Sequence, residues 1–291
     1  MYCLRRRALP QPLRWIFPAL PVQNRIHKGI NMNSYAHLNV EKRGHTAVVT
    51  IDNPPANTWN RESLTALKQL VADLNADRDI YALVITGQGE KFFSAGADLN
   101  LFADGDKKVA TEMTLLFGEA FEALSAFRGV SIAAINGYAM GGGLECALAC
   151  DIRIAEEQAQ MALPEAGVGL LPCAGGTQNL PWLVGEGWAK RMILCGERVN
   201  AATAERIGLV EQVVAKGEAL AAALKLAEGV ARQSPSSVGV CKQLVQAART
   251  QPPAWNLIKE REAFIKLFDT QDQAEGTRAF LEKRAPNWKN A

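Results

Sequence analysis

The sequence predicts an α/β protein in which short strands alternate with helices. Three observations support this class: runs of β-branched residues alternate with helical patterns, clusters of Gly, Pro and Asn end those runs, and the composition is globular. The chain has 291 residues, of which 48% are hydrophobic and 21% are charged. Its net charge of +2 is too small to indicate a nucleic-acid or membrane partner, so a small molecule is the expected ligand.

The first 31 residues differ from the rest of the chain. Residues 1–40 contain no Asp or Glu but several Arg and Pro residues. An Arg-rich segment is typical of a mitochondrial transit peptide, although prolines oppose the helix that such a peptide forms. Alternatively, translation starts at Met32, because the codons for Lys28 and Gly29 are purine-rich, as in a bacterial ribosome-binding site. We favour a non-domain extension over residues 1–31 and a bacterial cytoplasmic protein, with the mitochondrial matrix as the alternative.

The remaining elements follow in order along the chain. Strands are predicted over 47–52, 82–87, 130–137, 151–155 and 209–214, and helices over 61–76, 201–207, 217–233, 237–250, 255–268 and 272–283. Asn60 is a plausible N-cap for the first helix. The late helices need a surface to pack on, and a neighbouring subunit is the natural candidate. We therefore predict a core over 32–196 and a helical oligomerisation region over 197–291.

Three segments carry the chemistry: FFSAGADL (92–99), NGYAMGGGLECALACD (136–151) and ALPEAGVGLLPCAGGTQ (162–178). In this order they resemble the crotonase superfamily, from about residue 36 to the C-terminus. The resemblance implies a crotonase (ClpP-like) spiral of repeated β-β-α units that assembles as a trimer or a dimer of trimers. It also implies an enoyl-CoA hydratase, which adds water to 2-trans-enoyl-CoA in fatty-acid β-oxidation or related acyl-CoA breakdown and needs no cofactor.

The glycines of the first two segments predict an oxyanion site. Hydration of an enoyl thioester places negative charge on the thioester oxygen, which hydrogen-bond donors must stabilise. Gly96 allows a sharp turn that leaves the Ala97 N–H free, and the glycines at 141–143 open a helix whose first N–H groups are unpaired. Either loop alone could be an ordinary tight turn. The resemblance assigns the two donors to Ala97 and Gly142.

Two glutamates stand in apolar surroundings. Glu145 has Leu148 and Ala149 as its neighbours on the helix, and Glu165 lies in a weakly polar loop. Alone, each could be an ordinary helix-start or loop glutamate, but desolvation of a carboxylate raises its pKa into a range useful for proton transfer. The resemblance implies that the pair holds one water and divides the proton transfers, without telling which residue is the base.

The resemblance also points to residues that bind the CoA thioester. These are Ala56, Ala95, Gly96, Asp98, Leu99, Gly141, Pro164 and Cys173, together with Phe280 and Lys283 from the C-terminal helix of a neighbour. Cys173 stands where many relatives have glycine, and its thiol is expected to fill space because no histidine is near it in sequence. Residues 101–117 are expected to line the acyl tail, although a helical core face would show the same pattern.

Other classes of function are disfavoured. Six cysteines form no C-x-x-C pair, and no His cluster could complete a metal site, so we expect no metal and buried packing roles for Cys146 and Cys150. The apolar stretches at the N-terminus are too short for a membrane span. An enoyl-CoA isomerase or a branched-chain hydratase is the nearest alternative. An RNA-binding or non-catalytic relative is less favoured, because residues 61–79 are not basic and both glutamates are present.

Overall fold

The computed structural model describes residues 35–291, and the predicted extension over 1–31 lies outside the described residues. The strands are β1 (Leu38–Arg43), β2 (Thr46–Ile51), β3 (Ala82–Gly87), β4 (Phe92–Ser94), β5 (Val130–Ile135), β6 (Tyr138–Met140), β7 (Ile152–Glu156), β8 (Gln160–Ala162), β9 (Val199–Asn200) and β10 (Gln212–Val214). The helices are α1 (Arg61–Ala76), α2 (Lys107–Ser125), α3 (Gly142–Ala149), α4 (Gly176–Leu194), α5 (Ala201–Arg206), α6 (Ala219–Ala231), α7 (Pro235–Ala247), α8 (Pro253–Leu267) and α9 (Gln271–Leu281).

The strands form two sheets. One has the order β1-β2-β3-β5-β7-β10 and is parallel except for β1, and the other has the order β4-β6-β8-β9 and is parallel except for β9. Three consecutive units, β3-β4-α2, β5-β6-α3 and β7-β8-α4, each give their first strand to the larger sheet and their second strand to the smaller one. This repeat is the predicted spiral of β-β-α units.

The larger sheet is buried on both faces, as a parallel sheet requires. Side chains of β3 alternate between two hydrophobic clusters, one containing Leu83 and Ile85 and the other Ala82 and Val84. Helix α6 covers the second cluster with alanines spaced four residues apart from Ala219 onward. Small side chains let this helix approach the sheet closely.

Part of the region predicted to mediate oligomerisation packs within this chain. Strands β9 and β10 extend the two sheets, and α6 covers one face of the larger sheet. The apolar side chains of α8 and α9, by contrast, are mostly exposed. The role of residues 197–291 in assembly stays a prediction, and these exposed helices are its best candidates.

Helix boundaries agree closely with the sequence where capping signals are strong. Helix α1 has the predicted bounds, and its N-cap Asn60 accepts a hydrogen bond from the Ser63 N–H at 2.9 Å. The sequence indicates a strand before Gly96, where β4 lies, but does not predict β6 and β8, because three residues are too few to show an alternating pattern. Helices α2 and α4 were also not assigned from the sequence.

Candidate active site

The three motifs meet at one edge of the smaller sheet. Ala95–Ala97 follow β4, Gly141 follows β6, and Pro164 and Glu165 follow β8. Since these strands are neighbours and parallel, their carboxyl ends lie side by side, which is where ligands bind in open α/β sheets. A cavity of ≈ 360 Å³ opens there.

Most of the predicted site residues line this cavity. They are Ala95, Ala97, Leu99, Gly141, Gly142, Glu145, Pro164, Glu165 and Cys173. The other lining residues are Phe102, Thr114, Phe117, Met140, Gly167, Val168, Leu170 and Leu171. Apart from Thr114 and Gly167 these are large apolar side chains, so the cavity suits an acyl chain. The Leu-Leu pair inside the third motif was the sequence signal that could have identified two of them.

The Ala97 N–H is turned toward the cavity by a short parallel bridge. The Trp59 N–H donates to the Gly96 carbonyl at 2.8 Å, and the Asp98 N–H donates to the Trp59 carbonyl at 3.1 Å. In a parallel bridge the residue between these two bonds directs its own N–H away from the partner strand. Within residues 35–291 the Ala97 N–H has no protein acceptor.

The Gly142 N–H lies beside that of Ala97. It opens α3, where the first N–H groups have no intrahelical partner and the helix dipole is positive. Gly96 has φ +91, and a Cβ on it would lie 2.6 Å from the Met140 carbonyl oxygen and 3.0 Å from the Gly142 nitrogen. The two loops therefore touch through their backbones, which only glycine permits. A Cβ on Gly142 would lie 3.7 Å from the Ala97 nitrogen, so the two donors are close enough to share one oxygen ligand.

Glu145 is buried but bound by backbone donors. Its side chain is in the first turn of α3, and the residue is 3% exposed. Its Oε1 accepts hydrogen bonds from the Ala174 N–H at 2.8 Å and the Gly176 N–H at 2.9 Å. Burial raises the pKa of Glu145, while these two bonds favour the charged form and lower it. The bonds also fix the direction of the carboxylate.

Glu165 has a different environment. Both of its carboxyl oxygens are buried, and neither has a hydrogen-bond partner within the described residues. Burial raises the pKa of Glu165 to about 7, and the negative charge of Glu145 adds to this rise. A Cβ on Gly141 would lie 3.2 Å from its Oε1, so the carboxyl group stands against the glycine loop. Burial therefore raises the pKa of both glutamates, and the two differ in their partners, because two N–H donors favour the charged form of Glu145.

The remaining predicted residues lie beside or away from the cavity. The Ala56 carbonyl accepts from the Ala95 N–H at 3.0 Å, and Asp98 caps the short 3₁₀ helix that follows it. Neither Ala56 nor Asp98 lines the cavity. Phe280 lies in the last turn of α9 and Lys283 follows the helix. Both are exposed and outside the lining, so their contact with the CoA of a neighbour stays a prediction.

The segment predicted to line the acyl tail does so at Phe102, in the short 3₁₀ helix before α2, and with one face of α2. On α2, Thr114 and Phe117 reach the cavity, whereas Met113 is buried in the hydrophobic core and Leu115 is 60% exposed. Helical periodicity explains this split, because residues three apart share a face while their neighbours do not.

The cysteines of the described residues carry no disulfide. Cys146 and Cys150 are free and buried, and Cys173 is free and lines the cavity, where burial raises the pKa of its thiol. Residues 35–291 contain no group of three or more His, Cys, Asp or Glu side chains that could hold a metal ion. The same residues include no helix with the length and apolar character needed to cross a membrane.

The fold and the site together define a class of enzyme: a β-β-α spiral with two backbone N–H donors and two unlike carboxyl groups around an apolar cavity. The family model described as Enoyl-CoA hydratase/isomerase matches residues 41–291. This chain therefore belongs to the enoyl-CoA hydratase/isomerase family, and the resemblance and fold predicted from its motifs are confirmed.

Individual relatives agree with this assignment. The short-chain-enoyl-CoA hydratase of Clostridium acetobutylicum is 38% identical over 246 residues, covering 84% of this chain and 94% of that protein. The crotonyl-CoA hydratase of Syntrophomonas wolfei is 38% identical over 256 residues, covering 88% of this chain and 98% of that protein. Among solved structures, Pseudomonas aeruginosa DspI has 70% identity and a TM-score of 0.87, covering 90% of this chain and all (100%) of that one.

Proposed function

We propose that this chain is an enoyl-CoA hydratase that adds water across the double bond of a 2-trans-enoyl-CoA to give the 3-hydroxyacyl-CoA. The observation that carries the proposal is the presence of Glu145 and Glu165 in one cavity with the N–H groups of Ala97 and Gly142, which have no acceptor in the described part of the chain. Relatives at 38% identity that are named as hydratases support it further.

The proposed reaction begins with the thioester oxygen bound by the Ala97 and Gly142 N–H groups. As the oxygen of water attacks C3, the π electrons move toward the thioester oxygen, and the two donors stabilise the resulting enolate charge. This stabilisation is greatest in the transition state, where the charge develops, and so accelerates the reaction.

We propose a role for each carboxyl group from its environment. Glu145, held by two N–H donors, acts as the base and accepts the proton that the water loses. Glu165, whose carboxyl oxygens have no hydrogen-bond partner within residues 35–291 and whose pKa is about 7, acts as the acid and delivers a proton to C2. One proton is taken up and one is released, and exchange with solvent restores the starting protonation of both groups.

A substrate panel separates this function from that of an isomerase with the same fold. A hydratase consumes the conjugated 2-enoyl thioester crotonyl-CoA, so the absorbance of the conjugated system falls. An isomerase acting on a 3-enoyl-CoA would instead produce that absorbance. We expect a fall with crotonyl-CoA, and formation of conjugated product from 3-enoyl-CoA without hydration of crotonyl-CoA would overturn the proposal. Branched 2-enoyl thioesters in the same panel test the branched-chain alternative.

We further propose that the chain acts as a homo-oligomer, either a trimer or a dimer of trimers. Large apolar side chains on α8 support assembly, since Trp255, Phe264 and Ile265 are 65%, 63% and 68% exposed. Apolar side chains grouped in this way are a common mark of a subunit interface. The crotonase resemblance of the sequence also implies a trimer or a dimer of trimers.

We infer a role in fatty-acid β-oxidation or related acyl-CoA breakdown in a bacterial cytoplasm. The two hydratases compared above come from bacteria, and the buried free thiols of Cys146 and Cys150 fit a reducing compartment. Cell fractionation with an antibody to the chain tests the compartment, and recovery in a membrane or periplasmic fraction would contradict it.

A further inference from the structure

Three aromatic side chains lie in a row between the loops that provide the Ala97 and Gly142 donors. The rings of Trp59 and Phe121 meet edge to face, with centroids 5.6 Å apart and planes at 74°. The rings of Phe121 and Phe117 do the same at 5.7 Å and 78°. All three side chains are buried. Edge-to-face contacts are the geometry that ring quadrupoles favour, so the row is packed in a defined arrangement.

The Trp59 end of the row fixes the direction of the Ala97 N–H. The backbone of Trp59 makes the two hydrogen bonds that hold Gly96 and Asp98 on either side of Ala97. The Trp59 indole Nε1 has no hydrogen-bond partner within the described residues, so the ring is held by core packing that includes its edge-to-face contact with Phe121. A shift of this ring would therefore move the backbone that directs the Ala97 N–H.

The Phe117 end of the row lies against the other donor. A Cβ on Gly142 would lie 2.9 Å from Phe117 Cε1 and 3.4 Å from its Cζ, so the ring touches the first residue of α3 directly. Phe117 also lines the cavity. Phe121 does not line the cavity, and its ring contacts both other rings of the row.

We propose that Trp59, Phe121 and Phe117 form an aromatic brace that sets the separation and direction of the Ala97 and Gly142 N–H donors. Oxyanion stabilisation depends on donors that already point at the developing charge, and misplacement by a fraction of an ångström lowers the rate. Trp59, Phe121 and Phe117 are therefore positioning residues. Their effect on turnover rests on the proposed hydratase function.

The test compares Phe121→Leu with Phe127→Leu. Both phenylalanines are buried in the same hydrophobic cluster, but Phe127 makes no ring contact with the brace. For Phe121→Leu we expect kcat on crotonyl-CoA to fall by about tenfold to a hundredfold with little change in KM, because the donors act mainly in the transition state. For Phe127→Leu we expect both kinetic constants to stay near the wild-type values.

A second readout reports on the donors without turnover. An aminocinnamoyl-CoA thioester absorbs at longer wavelength when hydrogen bonds polarise its carbonyl group. We expect wild type and Phe127→Leu to produce this shift, and Phe121→Leu to lose most of it. Trp59→Phe, which keeps a ring in the brace, should retain the shift, and Trp59→Leu should lose it. If Phe121→Leu does not fold, the comparison of Trp59→Phe with Trp59→Leu tests the brace instead.

The outcomes separate the brace from the reaction. Wild type that is inert on crotonyl-CoA but shifts the absorbance of the probe would contradict the hydratase proposal. Loss of that shift in Phe121→Leu would still support the brace. An unchanged kcat and an unchanged shift in Phe121→Leu would overturn the brace. An equal loss in Phe127→Leu would overturn it as well, because the effect would then belong to core packing in general.

Discussion

At the scale of single residues, the two glutamates show how one cavity gives two carboxyl groups different environments. Both carboxyl groups are shielded from solvent, but within the described residues two N–H groups of a distant loop donate to Glu145, whereas the backbone N–H that favours the charged form of Glu165 is its own. The motifs alone predicted the pair and left the division of labour open. The donors that separate the two residues lie 29 and 31 positions beyond Glu145 in the chain, so no local pattern around Glu145 could reveal them.

The raised pKa of Glu165 has a consequence for stability. A carboxyl group whose pKa is about 7 in the folded state and about 4.5 in the unfolded state stabilises the fold below the lower value. That contribution is lost as pH rises from 4.5 to 7, because the folded chain then carries a buried charge. Glu165→Gln removes this charge, so its melting temperature relative to wild type should increase between about pH 4.5 and pH 8.

Differential scanning calorimetry across this pH range measures the effect. Glu157→Gln, at an exposed position, is the matched control and should show the same pH dependence as wild type. A difference between Glu165→Gln and wild type that does not change with pH would show that Glu165 is not held neutral by burial.

Gly96 provides a second test at this scale. Gly96→Ala places a Cβ 2.6 Å from the Met140 carbonyl oxygen at φ +91, so the loop must shift and carry the Ala97 N–H with it. We expect kcat on crotonyl-CoA to fall by about a hundredfold or more, the usual cost of losing one oxyanion donor. Gly89→Ala is the control, because Gly89 has φ +80 but open space around its Cβ position. Similar kinetics for the two variants would contradict the role of the Gly96 loop.

At the scale of elements, the site depends on strands too short to show an alternating pattern in the sequence. Strands β4, β6 and β8 have three residues each, yet their parallel pairing brings the three motifs to one edge. The resemblance predicted which motif residues share the site, whereas composition and periodicity could not predict this pairing. The contact of Phe117 with Gly142 is likewise tertiary, and its only sequence signal is an apolar residue on a helix.

The exposed apolar face of α8 leads to a prediction about assembly. Ile265→Asp places a charge on a side chain that is 68% exposed in the single chain, and should reduce the oligomer to smaller species. Light scattering coupled to gel filtration measures the mass. Leu226→Asp on α6, at a residue 39% exposed, is the control and should keep the wild-type mass. An unchanged mass in Ile265→Asp would exclude this part of α8 from the interface.

At the scale of the whole molecule, the β-β-α spiral explains how a reactive site is built from backbone. Each unit sends its first strand into the larger sheet, which supplies a rigid core, and its second strand into the smaller sheet, which ends at the cavity. The oxyanion donors are therefore main-chain groups held by two sheets and α3, and no flexible side chain has to be ordered.

The spiral and most of the lining residues were predictable because the motifs are specific and long helices carry capping signals such as Asn60. The packing of residues 199–231 onto the two sheets could not be predicted. The alanine-rich sequence of α6 is the same whether the helix packs on its own sheet or on a neighbouring subunit.

The most direct test of the account follows the absorbance of crotonyl-CoA with wild type, Glu145→Ala and Glu165→Ala. We expect rapid loss of the conjugated-thioester absorbance with wild type and a rate at least about a hundredfold lower in each variant, the scale for removing an acid or a base. Wild type that binds CoA thioesters but does not consume crotonyl-CoA, or variants that retain the wild-type rate, would contradict a hydration carried out by these two glutamates.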